Sequence, residues 1–186
     1  MFNISQFKNR NMADVWINLV GADGKPAFYL ASIPKKQAES LKDEIEQFNA
    51  GTYEGDALDK YKKPIRLKLK SPHSQAFNKA RLARKVKDSM LIQGAAKEVQ
   101  KSIEDGDAFD ADSLMDMATS KVCETITSGV SMICELATDW EGFTDGEALA
   151  EFDVEILRAI LLNPDNLETY TDIIKKIDGK TDFFTE

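Results

Sequence analysis

Very few residues in this chain have the type and spacing to do chemistry. His73 is the single histidine among 186 residues and stands beside Pro72 at an expected helix start. A Ser-His-Asp or Cys-His arrangement would rest on it alone, and no nucleophile in a strained turn lies near it. A capping or surface role suits it better. Cys123 and Cys134 are eleven positions apart in a helical pattern, ~16 Å along one face at 1.5 Å per residue. That separation excludes an intrahelical disulfide, so both read as small core residues of a reducing compartment. The chain has no G-x-x-x-x-G-K-[ST], G-x-G-x-x-G or C-x-x-C, so phosphate cradles and thiolate zinc sites lack their signatures. "DGDAFDADSLMD" has acids where a calcium loop needs several, but Phe109 takes its fifth position and Asp110 the place that requires glycine. The acid-rich stretch from Asp139 likewise has Phe143 at its fifth position. Both loops read as polar interhelical connections, with acids favoured at helix N-termini. No catalytic, cofactor-binding or metal-binding residue is expected, and the chain reads as a non-enzyme.

Charge is distributed unevenly. Residues 1–100 carry 18 Lys and Arg against 11 Asp and Glu, and residues 101–186 carry six against 21, so net charges of +7 and −15 combine into −8. The two signs either compensate within the fold or face different partners. The basic run "NKARLARKVK", with Lys79, Arg81, Arg84, Lys85 and Lys87, lacks the exposed aromatics or motif of a nucleic-acid site. It reads as a solvated helix face or a contact to acidic surface. An acidic DNA mimic is an alternative for the second half, weakened by the apolar stripes that interrupt its charge.

These residues need elements to position them. "DVWINLV" alternates like a strand, "GADGK" has the Asp23-Gly24 turn signal, and "PAFYLASI" reads as the return strand of a β-hairpin. Pro34 opens a helix with Ala38, Leu41, Ile45 and Phe48 on one face. A polar connector over 49–63 leads to "PIRLKLK", where Ile65, Leu67 and Leu69 alternate with basic residues as in a half-buried strand. Ser71-Pro72 then looks like an N-cap and first helical position. A long helix follows, weakened near Gly94 and broken at "GDAFDAD". The next, over 112–137, carries Met115, Ala118, Val122, Ile126, Val130, Ile133 and Ala137 in one stripe. Trp140 and Phe152 pin the ends of a joint. Leu157, Ile160, Leu161 and Leu162 seat a short helix over 153–162, stopped by Pro164. Asp165 and Glu168, spaced as a capping box, start a last helix with Leu167, Tyr170, Ile174 and Ile177 inward. The tail "DGKTDFFTE" reads as frayed or ordered by a partner. The expected fold is α+β, with a small N-terminal antiparallel sheet and one helix over residues 1–70 and a mainly helical part over 71–186.

Mean hydropathy of −0.36 and the lack of a long apolar run argue against a membrane span. The N-terminal residues lack the apolar core of a secretory signal, so the cytoplasm is the expected location.

Two stretches resemble the tail assembly chaperones of long-tailed bacteriophages. "PIRLKLKSPHSQAFNKARLARK" is similar to the family's strand, Ser-Pro-x-Ser turn and basic helix. "LATDWEGFTDGEALAEFDVEILRAILLNPDNLETYTDII" is similar to its C-terminal pattern, with Trp140, Gly142, Gly146, Phe152, Leu161, Leu162 and Pro164 as landmarks. The resemblance spans roughly residues 65–105 and 112–177.

It implies a non-enzymatic viral protein that coats the tape measure protein in the host cytoplasm, keeps its apolar helices soluble during tail tube assembly, and is absent from the finished virion. It also implies a tail tube partner reached through a frameshifted, longer product, and it admits self-association. Neither nucleic acid nor membrane is an expected partner. Arg81, Arg84, Lys85, Met117, Met132, Trp140, Phe152 and Leu161 are the candidate partner-binding residues, with Trp140 and Phe152 either closing a core or holding a client. Met-rich helix faces adapt to varied partners, although Met115 reads as core filler. The alternative to a chaperone is a structural tail or neck protein of the virion.

Overall fold

The computed structural model describes residues 13–104, 111–145 and 148–179. The readings placed on residues 105–110, on Gly146 and on the tail beyond Gly179 lie outside the described residues.

The fold is α+β, with a small antiparallel sheet towards the N-terminus and a mainly helical remainder. Strands β1 (Val15–Asn18), β2 (Phe28–Leu30), β3 (Lys62–Pro64) and β4 (Arg66–Leu69) form the first part, with helices α1 (Lys35–Ser40) and α2 (Lys42–Asn49) between β2 and β3. Helices α3 (Gln75–Glu104) and α4 (Ala111–Leu136) make a long hairpin. Strand β5 (Ala137–Glu141), the short β6 (Thr144–Asp145) and β7 (Ala148–Leu149), and helices α5 (Val154–Leu162) and α6 (Leu167–Ile177) follow.

The expected hairpin forms only its turn. Gly24 takes φ of +73° and Val20 bridges Pro26, but β1 and β2 do not pair with each other. Both run antiparallel to one continuous segment, β1 along β4 and β2 along β3. Ile65 is the junction: its carbonyl accepts from Leu19 N–H and its N–H donates to the Ala27 carbonyl, each at 2.9 Å. Burial explains the choice. Ile17 and Leu19 face the core beside Leu67 and Leu69, whereas no residue of β2 is buried, so a β1–β2 pair would match an inward strand with an outward one.

The single expected helix after Pro34 is two, because Leu41 leaves helical geometry at φ −116°, ψ 20°. The Ser40 hydroxyl donates to the Gln37 carbonyl, an alternative to helical pairing that short polar residues favour. The predicted face of Ala38, Leu41, Ile45 and Phe48 is half-buried throughout and does not join the main core cluster. The polar connector conceals Leu58, fully buried, whose N–H donates to the Tyr53 hydroxyl.

Central strand β4 pairs on its second edge with β5, giving the order β1-β4-β5. Residues 137–141, expected as the end of a helix and the start of a joint, therefore belong to the sheet, and a division at residue 70 runs through it. A register shift between Lys68 and Leu69 leaves Thr138 as the extra residue of a bulge. The Asp139 carboxylate accepts from Trp140 N–H at 2.9 Å, and the Thr169 hydroxyl and Lys176 ammonium donate to the carbonyls of Val20 and Asn18. Side chains thus occupy backbone groups that sheet edges otherwise leave open.

Ser71 is buried and its hydroxyl accepts from His73 N–H, but the helix cap is Ser74, which accepts from Phe77 N–H at 3.1 Å. Asp153 caps α5, accepting from Glu155 and Ile156 N–H. The Asp165/Glu168 box does not form; Asn163 accepts from Asp165 N–H, and a 3-10 turn over Pro164–Asn166 leads into α6. The inward face of α6 is Thr169, Tyr170, Ile173 and Ile177, while Leu167 is exposed. Bonding of Thr169 to the Val20 carbonyl turns the helix so that Ile173 is fully buried and Ile174 only half-buried.

Candidate functional site

The core gathers the sheet's inner face, the base of the α3–α4 hairpin and both C-terminal helices, and from α3 it takes only Phe77 and Ala80. A helix of 26 residues such as α4 is ~39 Å long at 1.5 Å per residue. The nine residues of α5 supply only ~14 Å to cover it. The apolar stripe of α4 therefore divides. Val130 and Ile133 are fully buried and Ile126 is half-buried, but Met115 is 67% and Val122 57% exposed on the same face.

Where the stripe leaves the core it opens into a cleft of about 240 Å³ lined by Cys123, Ile126, Leu161, Leu162, Pro164 and Leu167. Leu162 and Leu167 project into solvent at its rim. Bare stripe and cleft form one apolar surface. Cys123 is exposed on it; Cys134 lies in the core, where burial pushes its thiol pKa up and holds it protonated.

A second groove, about 630 Å³, lies between the β6–β7 pair and α5. Its floor is an aromatic cluster: Trp140 stacks on Phe143 with centroids 4.4 Å apart and meets Phe152 edge-on at 5.3 Å. Trp140 Nε1 donates to the Ala150 carbonyl at 2.8 Å. Leu149 and Ile156 stand exposed on its walls, with the carboxylates of Glu151 and Asp153 beside them.

The candidate residues separate accordingly. Met132, Trp140 and Leu161 are core. Met117 is half-buried, and Phe152 is half-buried in the aromatic groove. Arg84 is taken up inside the fold. Its side chain is 11% exposed and lies 3.3 Å from Asp88 and 3.4 Å from Asp178, fastening α3 to the end of α6. Lys85 is exposed 4.0 Å from Asp178, and Arg81 is half-buried. Three polar atoms here, Arg84 Nε, Asp88 Oδ1 and Asp178 Oδ1, are buried with no hydrogen-bond partner. Tyr170 packs beside this cluster, and burial first of all raises its phenol pKa. The bare surface is made instead by Met115, Val122, Cys123, Leu162 and Leu167. Its signal in the sequence is the mismatch between a long stripe and the short helices available to cover it.

The sheet's outer face is basic, as its alternation suggests. Arg66 and Lys68 lie over the Trp16 ring at 4.9 and 5.5 Å, and Arg66 also pairs with Glu141, which accepts from the Tyr29 hydroxyl. Among the described residues no group of three or more His, Cys, Asp or Glu is placed to hold a metal ion, and no helix is long and apolar enough to cross a membrane.

Fold and surfaces together define an α+β protein whose helical hairpin extends past its core and presents bare apolar faces. No family model matches the chain, and no curated protein and no solved structure matches it.

Proposed function

We propose that the chain is a non-enzymatic tail assembly chaperone of a long-tailed bacteriophage, holding apolar helices of the tape measure protein until the tail tube polymerises around them. The supporting observation is the bare half of the α4 stripe, Met115 to Val122, continuous with the cleft at Leu162 and Leu167. Exposed contiguous apolar surface marks interaction sites in soluble proteins, and helix-in-groove binding reads its client at i, i+3, i+4 and i+7. A methionine at the open end suits a client whose apolar helices vary in sequence.

The test is co-purification from infected cells. The wild-type chain is expected to bring down a long helical tape measure protein, and Val122→Asp to lose it with unchanged helical content. Mass spectrometry of purified virions is expected to find no peptides of this chain; abundant peptides would identify a structural tail or neck protein instead. Strong competition with DNA for a restriction enzyme would point to a DNA mimic.

A further inference from the structure

The outer face of the sheet, on the side away from the core, combines charge and rings in a way no other surface of the chain does. Residues 60–70, "KYKKPIRLKLK", hold six cations and no acid. They run through β3 and β4 as one extended segment, with Leu67 and Leu69 fully buried. Successive side chains of a strand point to opposite faces, so Lys62, Arg66, Lys68 and Lys70 share the outer one. That row is ~26 Å long at about 3.3 Å per residue.

Aromatic rings lie along the same row. Arg66 and Lys68 stand over Trp16, and Lys62 stands 4.7 Å from the ring centroid of Tyr53. Trp16 and Tyr53 are half-buried, and neither joins the core cluster. Carboxylates offset only part of the charge. Glu141 pairs with Arg66 and Asp59 with Lys62. Asp139, opposite Lys68 in register, turns its carboxylate to the Trp140 N–H. Lys70 donates to the Glu135 carbonyl, and neither it nor Lys68 forms an ion pair among the described residues.

We infer that this face binds single-stranded nucleic acid. Rings present flat surfaces to unpaired bases, and the Arg66 guanidinium stacks on a base as a ring does. The lysines between them meet the phosphates, whose neutralisation supplies most of the affinity of non-specific binding. Sequence-tolerant single-strand binders combine the same two parts, with sites from ~4 nucleotides upward. At ~3.4 Å per phosphate of a stacked strand, the row is long enough for such a site. The rings choose this occupant. An acidic peptide would use the lysines and leave Trp16 and Tyr53 without a role, and a duplex hides the faces of its bases.

The experiment titrates the full chain into fluorescein-labelled oligothymidine and oligouridine of about 15 nucleotides, near the upper site size of single-strand-binding folds, and follows anisotropy. Wild type is expected to bind, less tightly as salt rises because released counterions drive the association. The strands should also quench its tryptophan fluorescence. Of the two tryptophans, Trp140 is 6% exposed, so the quenching reports Trp16. Trp16→Ala and Lys68→Glu are each expected to weaken binding about tenfold, the first through lost stacking and the second through charge. Trp16→Phe should keep most of the affinity because a ring remains. Lys97→Glu, the same charge change on α3, should alter it less than about twofold, since exposed charges beyond a Debye length are screened. Tyr53→Leu replaces Trp16→Ala should that variant lose its circular dichroism. Wild type that binds neither strand, a folded ring variant that binds as tightly as wild type, or tighter binding of a labelled polyglutamate peptide would overturn the inference. No tape measure protein is present, so the outcome is separate from that of the chaperone reading.

Discussion

The indole N–H of Trp140 is bonded to the backbone carbonyl of Ala150 at 2.8 Å, which ties β5 to the segment that leads into α5. Trp140 is 6% exposed, so of its two expected roles, core pin or client contact, the fold uses it as the first. Truncation to alanine is expected to cost roughly 3–5 kcal/mol of stability. Phenylalanine keeps the stacking but leaves the Ala150 carbonyl without its donor, for about 1–3 kcal/mol. Urea denaturation of both variants checks the order; a phenylalanine variant as stable as wild type would remove the hydrogen bond from the account.

Gly129 is buried against Tyr170, where an added Cβ would come within 2.9 Å of the ring carbon Cε2. Alanine there must push the ring and its Arg84 neighbourhood outward. Overpacking of this kind costs ~1–3 kcal/mol, although alanine is intrinsically the better helix former. A lowered melting temperature for Gly129→Ala is expected, while Gly94→Ala, with open space around its Cβ, should raise it.

Arg84 and Lys85 are neighbours in sequence but differ in consequence. Arg84→Met leaves Asp88 and Asp178 without the buried guanidinium between them, with only the exposed Lys85 beside Asp178, and is expected to cost about 3–5 kcal/mol, as removal of one partner from a buried pair does. Lys85, 55% exposed, should tolerate the same change within about 0.5 kcal/mol. Thermal melts of the two variants side by side measure the contrast.

Glu141 accepts from Arg66 and from Tyr29, and these hydrogen bonds, the Arg66 bond foremost, hold its carboxyl pKa below the ordinary glutamate value. The folded value is the lower one, so the stability it contributes is present above the unfolded pKa of about 4.3 and is lost as pH falls through the folded value. Glu141→Gln should therefore be less stable than wild type near neutrality and should narrow that gap on acidification. Denaturant midpoints across the acid range test this, and a constant gap would count against it.

Periodicity within one element made much of this fold legible. The alternation of Leu67 and Leu69 with basic residues gave β4 its two faces, the α4 stripe was right as a stripe, and Pro164 marked the end of α5. Each depends on neighbours within a few positions, where backbone geometry alone sets which side chains share a face. Which strand pairs with which was not legible, because Ile65 joins two segments separated by a turn whose own signal suggested a hairpin. The bonds of Thr169 to Val20 and of Arg84 to Asp178 span 149 and 94 positions, and each overrode a local signal, turning α6 or removing a surface charge. The sequence by itself determined the two long helices, the two faces of β4 and the uneven charge. Only the tertiary structure decided where the core ends along α4 and leaves Met115 and Val122 bare, since coverage depends on the placement of partners, which no local pattern encodes.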